Sequence, residues 1–566
     1  MVMKLSKEQK RLLDFNTSTI LKAGPGSGKT LSISKLVKKY IENWREQYKG
    51  IAILSFSNSG ISELREKIDM NIDYPHYIGT IDGFIEKYIF YPYSRLSYFK
   101  NDIRPKVIND DNSDFFKRLR QNAKYTSECY KNKCYYETIK IDENNEIEIP
   151  KKSCQTKREL PCKTYKVLGI KYSYATHYDA TSISVQILKK YSQVAKALVR
   201  RFPVIIIDEA QDTSYIQMKL IEELEKNGHD KIYIVGDSDQ AVYEWREASP
   251  EVFTNKYQDK RYNQIEFIEN HRSSQKICNA TYPFSTLSKT AIAVGESKDY
   301  KEVPILLFYN DINEACEFFE DICEKNEIKK EDRKILVRAR KDINNMDYYN
   351  IDNLWQNELT EKLIKATLLK NKHKFNETRK LIEETIFLFI FKKDISKVEN
   401  KHQYILSKYK IEEWEEIINK FVANLPEWNI ILEDWIFNVD KTLNNLARTK
   451  DIKYLKVKQR CNNNKYKDFR RKSILYFDKE FYGEDSIIET IHSSKGKTYD
   501  AVLLLLKARG KLTLNQLENA EINTEVVRTA YVAMTRPRKI LIVASPKNKK
   551  QDYKKFNKDN WNIIQM

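Results

Sequence analysis

The sequence predicts an α/β protein built from two doubly wound domains with parallel sheets, each interrupted by a long insertion. A chain of 566 residues is too long for one core. Short apolar runs typical of buried parallel strands recur along it, and helical stretches lie between many of them. The strand candidates are Ile51–Phe56, Val204–Ile207, Ile232–Val235, Ile335–Val337, Val502–Leu506 and Ile540–Val543. The stretches 86–200 and 346–483 break this alternation and are the predicted insertions.

The composition favours a polyanionic partner. Lys and Arg number 99 against 80 Asp and Glu, a formal net charge of +19, and such a surplus is typical of nucleic-acid-binding proteins. The alternative is a soluble basic protein without such a partner. The chain has no apolar run near the ~20 residues needed to span a bilayer and no signal-peptide pattern at its start. We therefore expect a cytoplasmic protein with no membrane partner.

Residues 20–30 predict a nucleotide site. A short strand runs into a glycine-rich loop that a helix follows, and the order of strand, loop and helix disfavours a turn that binds nothing. Successive backbone N–H groups of such a loop face phosphate oxygens. Lys29 is expected to reach the β- and γ-phosphates of ATP, and the Thr30 hydroxyl to ligate Mg²⁺. The cofactor-binding loop comprises Ala23, Gly24, Pro25, Gly26, Ser27, Gly28, Lys29 and Thr30.

Two carboxylates follow another predicted strand. Asp208 ends the apolar run of 204–207, at the edge of the sheet where such folds bind ligands, and we expect it to hold Mg²⁺ together with Thr30. Glu209 is suited to orient and deprotonate an attacking water. Alone, an apolar run ending in Asp-Glu is a common strand end, but downstream of the glycine-rich loop it favours hydrolysis of ATP.

Taken together, nine sequence blocks resemble the UvrD/Rep/PcrA family of superfamily 1 helicases, in the order of that family. Block 208–212 reads Asp-Glu-Ala-Gln-Asp, and block 235–246, which includes Gln240, is a very specific match. The resemblance implies two RecA-like P-loop NTPase domains with ATP between them, each with an inserted, mainly helical subdomain. The blocks occupy residues 5–9, 23–30, 55–59, 79–84, 208–212, 235–246, 269–274, 490–496 and 530–536.

The resemblance also implies domain bounds and site roles. Motor domain 1A covers 1–85 and 201–275, subdomain 1B covers 86–200, motor domain 2A covers 276–345 and 484–566, and a short subdomain 2B covers 346–483. Gln9 reads adenine, Gln240 senses the γ-phosphate, and Arg272 and Arg536 are arginine fingers. The expected catalytic set therefore comprises Lys29, Asp208, Glu209, Gln240, Arg272 and Arg536.

The predicted DNA contacts are of two kinds. Phe56, Tyr243 and Trp245 offer aromatic faces to unpaired bases, with ordinary core packing as the alternative. Asn58, Thr80 and His492 are expected to bind phosphate or sugar. The resemblance adds Arg246. The predicted partner is single-stranded or tailed DNA, and travel from 3′ to 5′ is a family expectation.

The chain departs from the family pattern at several positions. His271 replaces the tyrosine that stacks on adenine, Thr498 and Tyr499 replace Glu-Phe, and Ile81-Asp82 replaces Phe-His. The second insertion is also short. The alternative function is therefore a non-processive DNA-end-sensing ATPase subunit that activates a nuclease. The layout resembles the UvrD-like subunits of anti-phage systems such as Gabija, whose partner is a nuclease subunit of the Toprim/OLD type.

Four cysteines fall close together in the first insertion: Cys129, Cys134, Cys154 and Cys162. Four thiols can hold zinc or an iron–sulfur cluster. Their spacing is not the paired Cys-x2-Cys pattern of a zinc ribbon, which favours plain reduced thiols. Both alternatives stay open at this point.

Overall fold

The structure is a computed structural model with side chains. It describes residues 5–97, 99, 103–108, 114–124, 127–131, 133–150, 161–242, 250–339, 355–392, 401–457, 469–477, 487–548 and 553–566. It divides into two compact units. Unit 1 comprises Met1–Leu306, Lys495–Thr498 and Lys507–Ile564, and unit 2 comprises Leu307–Ser494, Tyr499–Leu506 and Gln565–Met566. Lys507–Ile564, which the motifs assign to domain 2A, falls in unit 1, and the four domain bounds remain a prediction.

The strands of the described residues confirm the predicted alternation. They are β1 (Thr19–Ala23), β2 (Ile51–Ser55), β3 (Tyr77–Thr80), β4 (Lys106–Val107), β5 (Lys140–Ile141), β6 (Ile147–Glu148), β7 (Tyr174–Ala175), β8 (Val204–Asp208), β9 (Ile232–Gly236), β10 (Asn263–Phe267), β11 (Glu269–Asn270), β12 (Ile292–Ala293), β13 (Ile305–Tyr309), β14 (Arg333–Val337), β15 (Ile488–Thr490), β16 (Tyr499–Leu505), β17 (Pro537–Pro546) and β18 (Asn562–Gln565).

The helices fill the intervals between these strands and make up most of the described residues of 346–483. They are α1 (Lys7–Asp14), α2 (Lys29–Glu42), α3 (Asn58–Ile68), α4 (Ile81–Ile85), α5 (Tyr91–Tyr93), α6 (Asp114–Asn122), α7 (Ser127–Lys131), α8 (Pro161–Lys171), α9 (His177–Lys190), α10 (Ser192–Arg201), α11 (Tyr215–Lys226), α12 (Pro250–Tyr257), α13 (Gln275–Thr281), α14 (Ile312–Lys325), α15 (Glu358–Asn371), α16 (Phe375–Phe391), α17 (Lys401–Leu406), α18 (Ile411–Ala423), α19 (Leu432–Ala447), α20 (Leu514–Asn519) and α21 (Glu525–Met534). Within the described residues, none has the length and apolar character required to cross a membrane.

Unit 1 is organised around a six-stranded sheet with the order β10-β1-β9-β8-β2-β3, in which neighbouring strands are parallel. Successive side chains of a strand point to opposite faces, and both faces are covered here. In β8, Val204 and Ile206 pack into one hydrophobic cluster, whereas Ile205 and Ile207 pack into the other. The doubly wound prediction is confirmed for this unit.

The parallel arrangement positions the candidate site. The carboxyl ends of parallel strands meet at one edge of a sheet, where α/β folds bind ligands. In unit 1 this edge carries the glycine-rich loop after β1, Phe56 after β2, Thr80 at the end of β3, Asp208 at the end of β8 and Asp237 after β9. Residues far apart in the sequence are therefore gathered by the sheet itself.

Unit 2 contains a second parallel arrangement and a helical core. Strand β14 pairs in parallel with β15 and with β16. Helices α15 to α19 enclose a hydrophobic cluster in which Trp414 and Trp435 are fully buried. The indole N–H of Trp435 donates to Oγ1 of Thr367 at 3.0 Å, so the buried ring has a partner. In α18, Trp414, Ile418 and Phe421 are buried and form its apolar face.

The first insertion has a small core of its own in unit 1. Cys129, Cys134 and Cys162 are buried there among aromatic side chains such as Tyr136 and Phe116. Cys154 lies outside the described residues. Among the residues that the structure describes, no group of three or more His, Cys, Asp or Glu side chains is arranged to hold a metal ion. The three described thiols act as core side chains.

Candidate functional site

The glycine-rich loop turns between β1 and α2 with two residues in the left-handed region. Gly26 has φ of +70° and Gly28 has φ of +77°, a conformation that glycine adopts at little cost. A Cβ at Gly26 would lie 2.8 Å from Cβ of Arg272 and from Oδ1 of Asn270. The first turn of α2 has neither a capping side chain nor an acidic residue, so its N–H groups are suited to an anion.

Lys29 lies close to the carboxylates at the end of β8. Its Nζ is 2.7 Å from Oε1 of Glu209. Burial would lower the pKa of Lys29, but the charges of Glu209 and Asp208 outweigh it and raise that pKa. For Glu209, burial would raise the pKa, but the charges of Lys29 and Lys495 hold that pKa below its usual value. Both groups are therefore charged at neutral pH.

Asp208 and Gln211 support this pair. Oδ1 of Asp208 accepts from the N–H of Glu209 at 2.9 Å, and burial raises the pKa of Asp208 despite the charge of Lys29. Nε2 of Gln211 donates to Oε2 of Glu209. Oε1 of Gln211 accepts from the N–H of Asp237 at 2.9 Å, which joins the ends of β8 and β9.

Gln240 lies between a buried carboxylate and an arginine. Its Nε2 donates to Oδ2 of Asp237 at 2.5 Å, and its Oε1 accepts from Nη2 of Arg536 at 2.8 Å. Arg536 is only 1% exposed, and its Nε donates to the carbonyl of Val532 at 2.8 Å. The guanidinium is thus oriented from two sides.

Arg272 adds a second guanidinium. Its Nη1 donates to the carbonyl of Thr535 at 3.0 Å, directly before Arg536 in the chain. Burial lowers the pKa of Arg272, and the neighbouring charges of Arg536 and Arg538 lower it further. Three guanidinium groups this close repel one another, so their arrangement favours a polyanion such as a triphosphate.

One cavity of about 470 Å³ in unit 1, here called the nucleotide cavity, collects these groups. Of the predicted residues, the loop from Gly24 to Thr30, Phe56, Glu209, Gln240, Arg272 and Arg536 line it. Asp208 lies behind Glu209 and is 3% exposed. Ala23 ends β1, and Gln9 is buried beside the loop, with Nε2 3.5 Å from the carbonyl oxygen of Ser27.

A second cavity of about 1180 Å³ in unit 1, here called the strand cavity, is lined by Phe56, Asn58 and Thr80. Phe56 and Ser57 line both cavities. Thr80 caps α4, since its Oγ1 accepts from the N–H of Gly83 at 3.1 Å, which leaves its hydroxyl hydrogen available to another acceptor.

Four other predicted DNA contacts cannot be placed beside these three. Tyr243, Trp245 and Arg246 lie outside the described residues. His492 belongs to unit 2, where it is half-buried in the turn after β15.

Comparison with known proteins identifies the chain. A sequence model described as the UvrD/REP helicase N-terminal domain matches residues 5–261. The Gabija protein GajB of Bacillus cereus is 25% identical over 97% of this chain and 97% of its own length. The ATP-dependent DNA helicase Rep of Buchnera aphidicola is 25% identical over 60% of this chain and 54% of its own length. The chain is a UvrD-like helicase that hydrolyses ATP.

A further relative of this helicase matches only in part. An ATP-dependent helicase/nuclease protein of Streptococcus pneumoniae is 36% identical over 108 residues, which are 18% of this chain and 9% of that protein. The match to the Rep helicase likewise spans little more than half of that protein.

The helicase holds donors that fit Mg²⁺, which its family typically uses. Thr30 lines the nucleotide cavity, and Asp208 and Glu209 supply carboxylate oxygens, the hard ligands that Mg²⁺ prefers. Oγ of Ser27 is buried and has no hydrogen-bond partner among the described residues, as expected of a loop shaped around a ligand. The residues present therefore fit a magnesium–nucleotide complex.

Sequence reasoning missed several polar partners in the helicase. Nζ of Lys495 lies 2.5 Å from Oδ2 of Asp212, and both line the nucleotide cavity. Gln211 and Asp237 link the strand ends. All four lie inside the quoted blocks, at or just after strand ends, and this placement was the signal that could have found them.

Proposed function

We propose that this helicase binds single-stranded DNA in the strand cavity and couples ATP hydrolysis to 3′-to-5′ movement along it. The observation that carries the proposal is that Phe56 and Ser57 line both cavities. β2 ends at Ser55, so Phe56 and Ser57 directly follow the strand. A change in the nucleotide cavity therefore acts directly on residues that also line the strand cavity. Asn58 and Thr80 are the proposed phosphate or sugar contacts, and Phe56 offers a face for a base.

The proposed chemistry follows from the geometry of the nucleotide cavity. Lys29 binds the β- and γ-phosphates, so its ammonium leaves the carboxylate of Glu209 and pairs with a phosphate oxygen instead. Glu209, whose pKa the charge of Lys495 continues to lower, accepts the proton of the attacking water. Thr30 and Asp208 would hold Mg²⁺, which would neutralise phosphate charge. Gln9 contacts the adenine.

Gln240, Arg272 and Arg536 act on the transferred phosphoryl group. Charge that develops on this group needs preorganised donors in a site with little water. Arg536 is held by Gln240 and the carbonyl of Val532, and Arg272 by the carbonyl of Thr535, so their donors are oriented before the reaction. Gln240 senses the γ-phosphate because it joins Arg536 to the end of β9.

The expected assay compares ATP turnover with and without single-stranded DNA. Wild type should hydrolyse ATP faster with DNA and unwind a duplex with a 3′ tail in preference to one with a 5′ tail. Lys29→Ala should abolish both activities, whereas Lys38→Ala, on the same helix, should retain them. Unwinding by Lys29→Ala would refute the proposal.

A second candidate function follows from the relative that covers almost the whole chain. A Gabija protein aligned over 97% of both lengths supports a role in a Gabija-type anti-phage complex. In this case the helicase is a DNA-end-sensing ATPase subunit that activates a Toprim/OLD-type nuclease. DNA-stimulated ATPase without strand separation, together with co-purification of a nuclease, would favour it over the translocase.

A further inference from the structure

Gln217 joins the strand cavity to α11, the helix that follows the block 208–212. Its Nε2 donates to Oδ1 of Asp82 at 2.7 Å, and its Oε1 accepts from the N–H of Ser214 at 3.0 Å. Both Asp82 and Gln217 line the strand cavity with Thr80. Gln217 is only 6% exposed, so neither bond is readily replaced by water.

From Gln217 a short path leads to the catalytic carboxylate. Ser214 caps α11, and its Oγ accepts from the N–H of Gln217 at 3.3 Å, so the two residues hold each other in a capping box. Asp212, two residues before this cap, binds Lys495 at 2.5 Å. The preceding residue, Gln211, donates to Glu209. Every residue of this path belongs to unit 1.

Burial gives this path its stiffness. An amide hydrogen that loses its acceptor inside a protein pays its full desolvation cost, so a displaced Asp82 draws Gln217 with it more readily than it breaks the bond. Gln217 in turn moves together with the first turn of α11, because its amide N–H donates to Asp82 and its amide oxygen accepts from the N–H of Ser214. A shift at Thr80 and Asp82 therefore reaches the segment that holds Glu209.

We infer that the Asp82–Gln217 hydrogen bond transmits occupancy of the strand cavity to residues 208–212 and makes ATP hydrolysis depend on DNA. The inference rests on the proposed binding of DNA in that cavity. Gln217 is in this sense a positioning residue that acts through Ser214 and Asp212. If the bond only fastened α4 to α11, its loss would change stability and leave DNA stimulation intact.

Gln217→Glu tests the bond selectively. The substitution keeps an acceptor for Ser214 but places an oxygen where the donor to Asp82 had been. The probe is a single-stranded oligothymidylate, and the readouts are ATP turnover with and without it, KM for ATP, and affinity for the oligonucleotide. We expect stimulation at saturating oligonucleotide to fall about tenfold, beyond any change in affinity for the oligonucleotide. Glu222→Gln, on the same helix, is the matched control and should keep full stimulation.

Asp82 supplies the other half of the test. Asp82→Asn retains an oxygen that accepts from Gln217 and should keep the stimulation, whereas Asp82→Ala should lose it. The double variant Asp82→Ala/Gln217→Glu should lose no more than either single variant, because one interaction is removed in each case. If Gln217→Glu lowers the melting temperature so far that it does not fold, the two Asp82 variants decide by the same criteria.

Three outcomes would overturn the inference: undiminished stimulation of Gln217→Glu, a loss that only follows weaker DNA binding, or additive losses in the double variant. A wild-type enzyme that DNA does not stimulate at all would instead refute the proposed function. The two failures are therefore distinguishable by the wild-type assay alone.

Discussion

Nη2 of Arg536 donates to Oε1 of Gln240 at 2.8 Å, and Gln240 donates in turn to Asp237 at 2.5 Å. Arg536 and Gln240 lie 296 positions apart along the chain, whereas Gln240 and Asp237 lie 3 positions apart. They connect the last helicase block to the strand end beside Glu209. Arg536, the proposed arginine finger, is therefore oriented by the same side chain that is proposed to sense the γ-phosphate.

Arg536→Lys tests this arrangement. Lysine keeps the charge but loses the planar fork that binds Gln240 and the carbonyl of Val532 together. We expect ATP turnover to fall by about 10³-fold or more, with a much smaller change in KM. Phosphate release measures it. Arg261→Lys, at an exposed arginine paired with Asp259, is the control. A raised KM with unchanged turnover would instead assign Arg536 to ground-state binding.

Phe56→Ala should weaken binding of single-stranded DNA by about 1–3 kcal/mol through loss of base stacking. The dependence of affinity on salt should keep its slope, because no phosphate contact is removed. Fluorescence anisotropy at several salt concentrations measures both quantities. Phe437→Ala, which removes a phenylalanine of unit 2 that is 70% exposed, is the control. Unchanged affinity would assign Phe56 to core packing.

Lys166 and Asp179 form a fully buried ion pair, with Nζ and Oδ2 2.6 Å apart. Asp179→Ala leaves the Lys166 ammonium buried without its counter-charge, and we expect a loss of about 3–5 kcal/mol in the free energy of unfolding. Lys166→Met/Asp179→Asn removes both charges and should cost less. Urea denaturation measures the loss. The exposed pair of Lys420 and Glu416 provides the control, for which we expect a much smaller loss.

His229 should make stability pH-dependent on the acid side. Burial lowers the pKa of its imidazole, although the carbonyl of Phe202 and the charge of Asp230 oppose this. Its Nδ1 is buried and has no partner among the described residues, so protonation there is unfavourable. The unfolded chain, with a pKa of about 6.5, binds the proton first, and stability falls as pH drops from there through the folded pKa. Thermal melting of His229→Gln should show a flatter profile, and exposed His373→Gln should match wild type.

The local parts of the fold and site followed from the sequence. The strand containing Asp208 was predicted because a run of β-branched residues is buried on both faces of a parallel sheet, and the structure has β8 there. The exact ends differ by up to three residues, because hydrogen bonding to neighbours decides them; β17, for example, extends from Pro537 to Pro546. The grouping of Lys507–Ile564 with unit 1 depends on packing that no local pattern encodes.

Side-chain partners were the part that sequence reasoning did not reach. Lys495 and Asp212 are 283 positions apart, and Gln217 and Asp82 are 135 apart. Nothing near either residue in the chain indicates its partner, because the pairing depends on how strands and helices pack. His271, by contrast, stands out in the sequence as a departure from the family pattern, and it does line the nucleotide cavity.

By itself, the sequence determined that this protein binds a nucleoside triphosphate and belongs with the UvrD-like helicases. The glycine-rich loop consists of eight successive residues, so its phosphate-binding backbone can be recognised from the sequence alone. Only the tertiary structure decided which further basic residues reach the nucleotide cavity, among them Lys67, Lys495 and Arg538. It also decided that Phe56 and Ser57 border both cavities, because that proximity comes from parallel strands ending at one edge of a sheet.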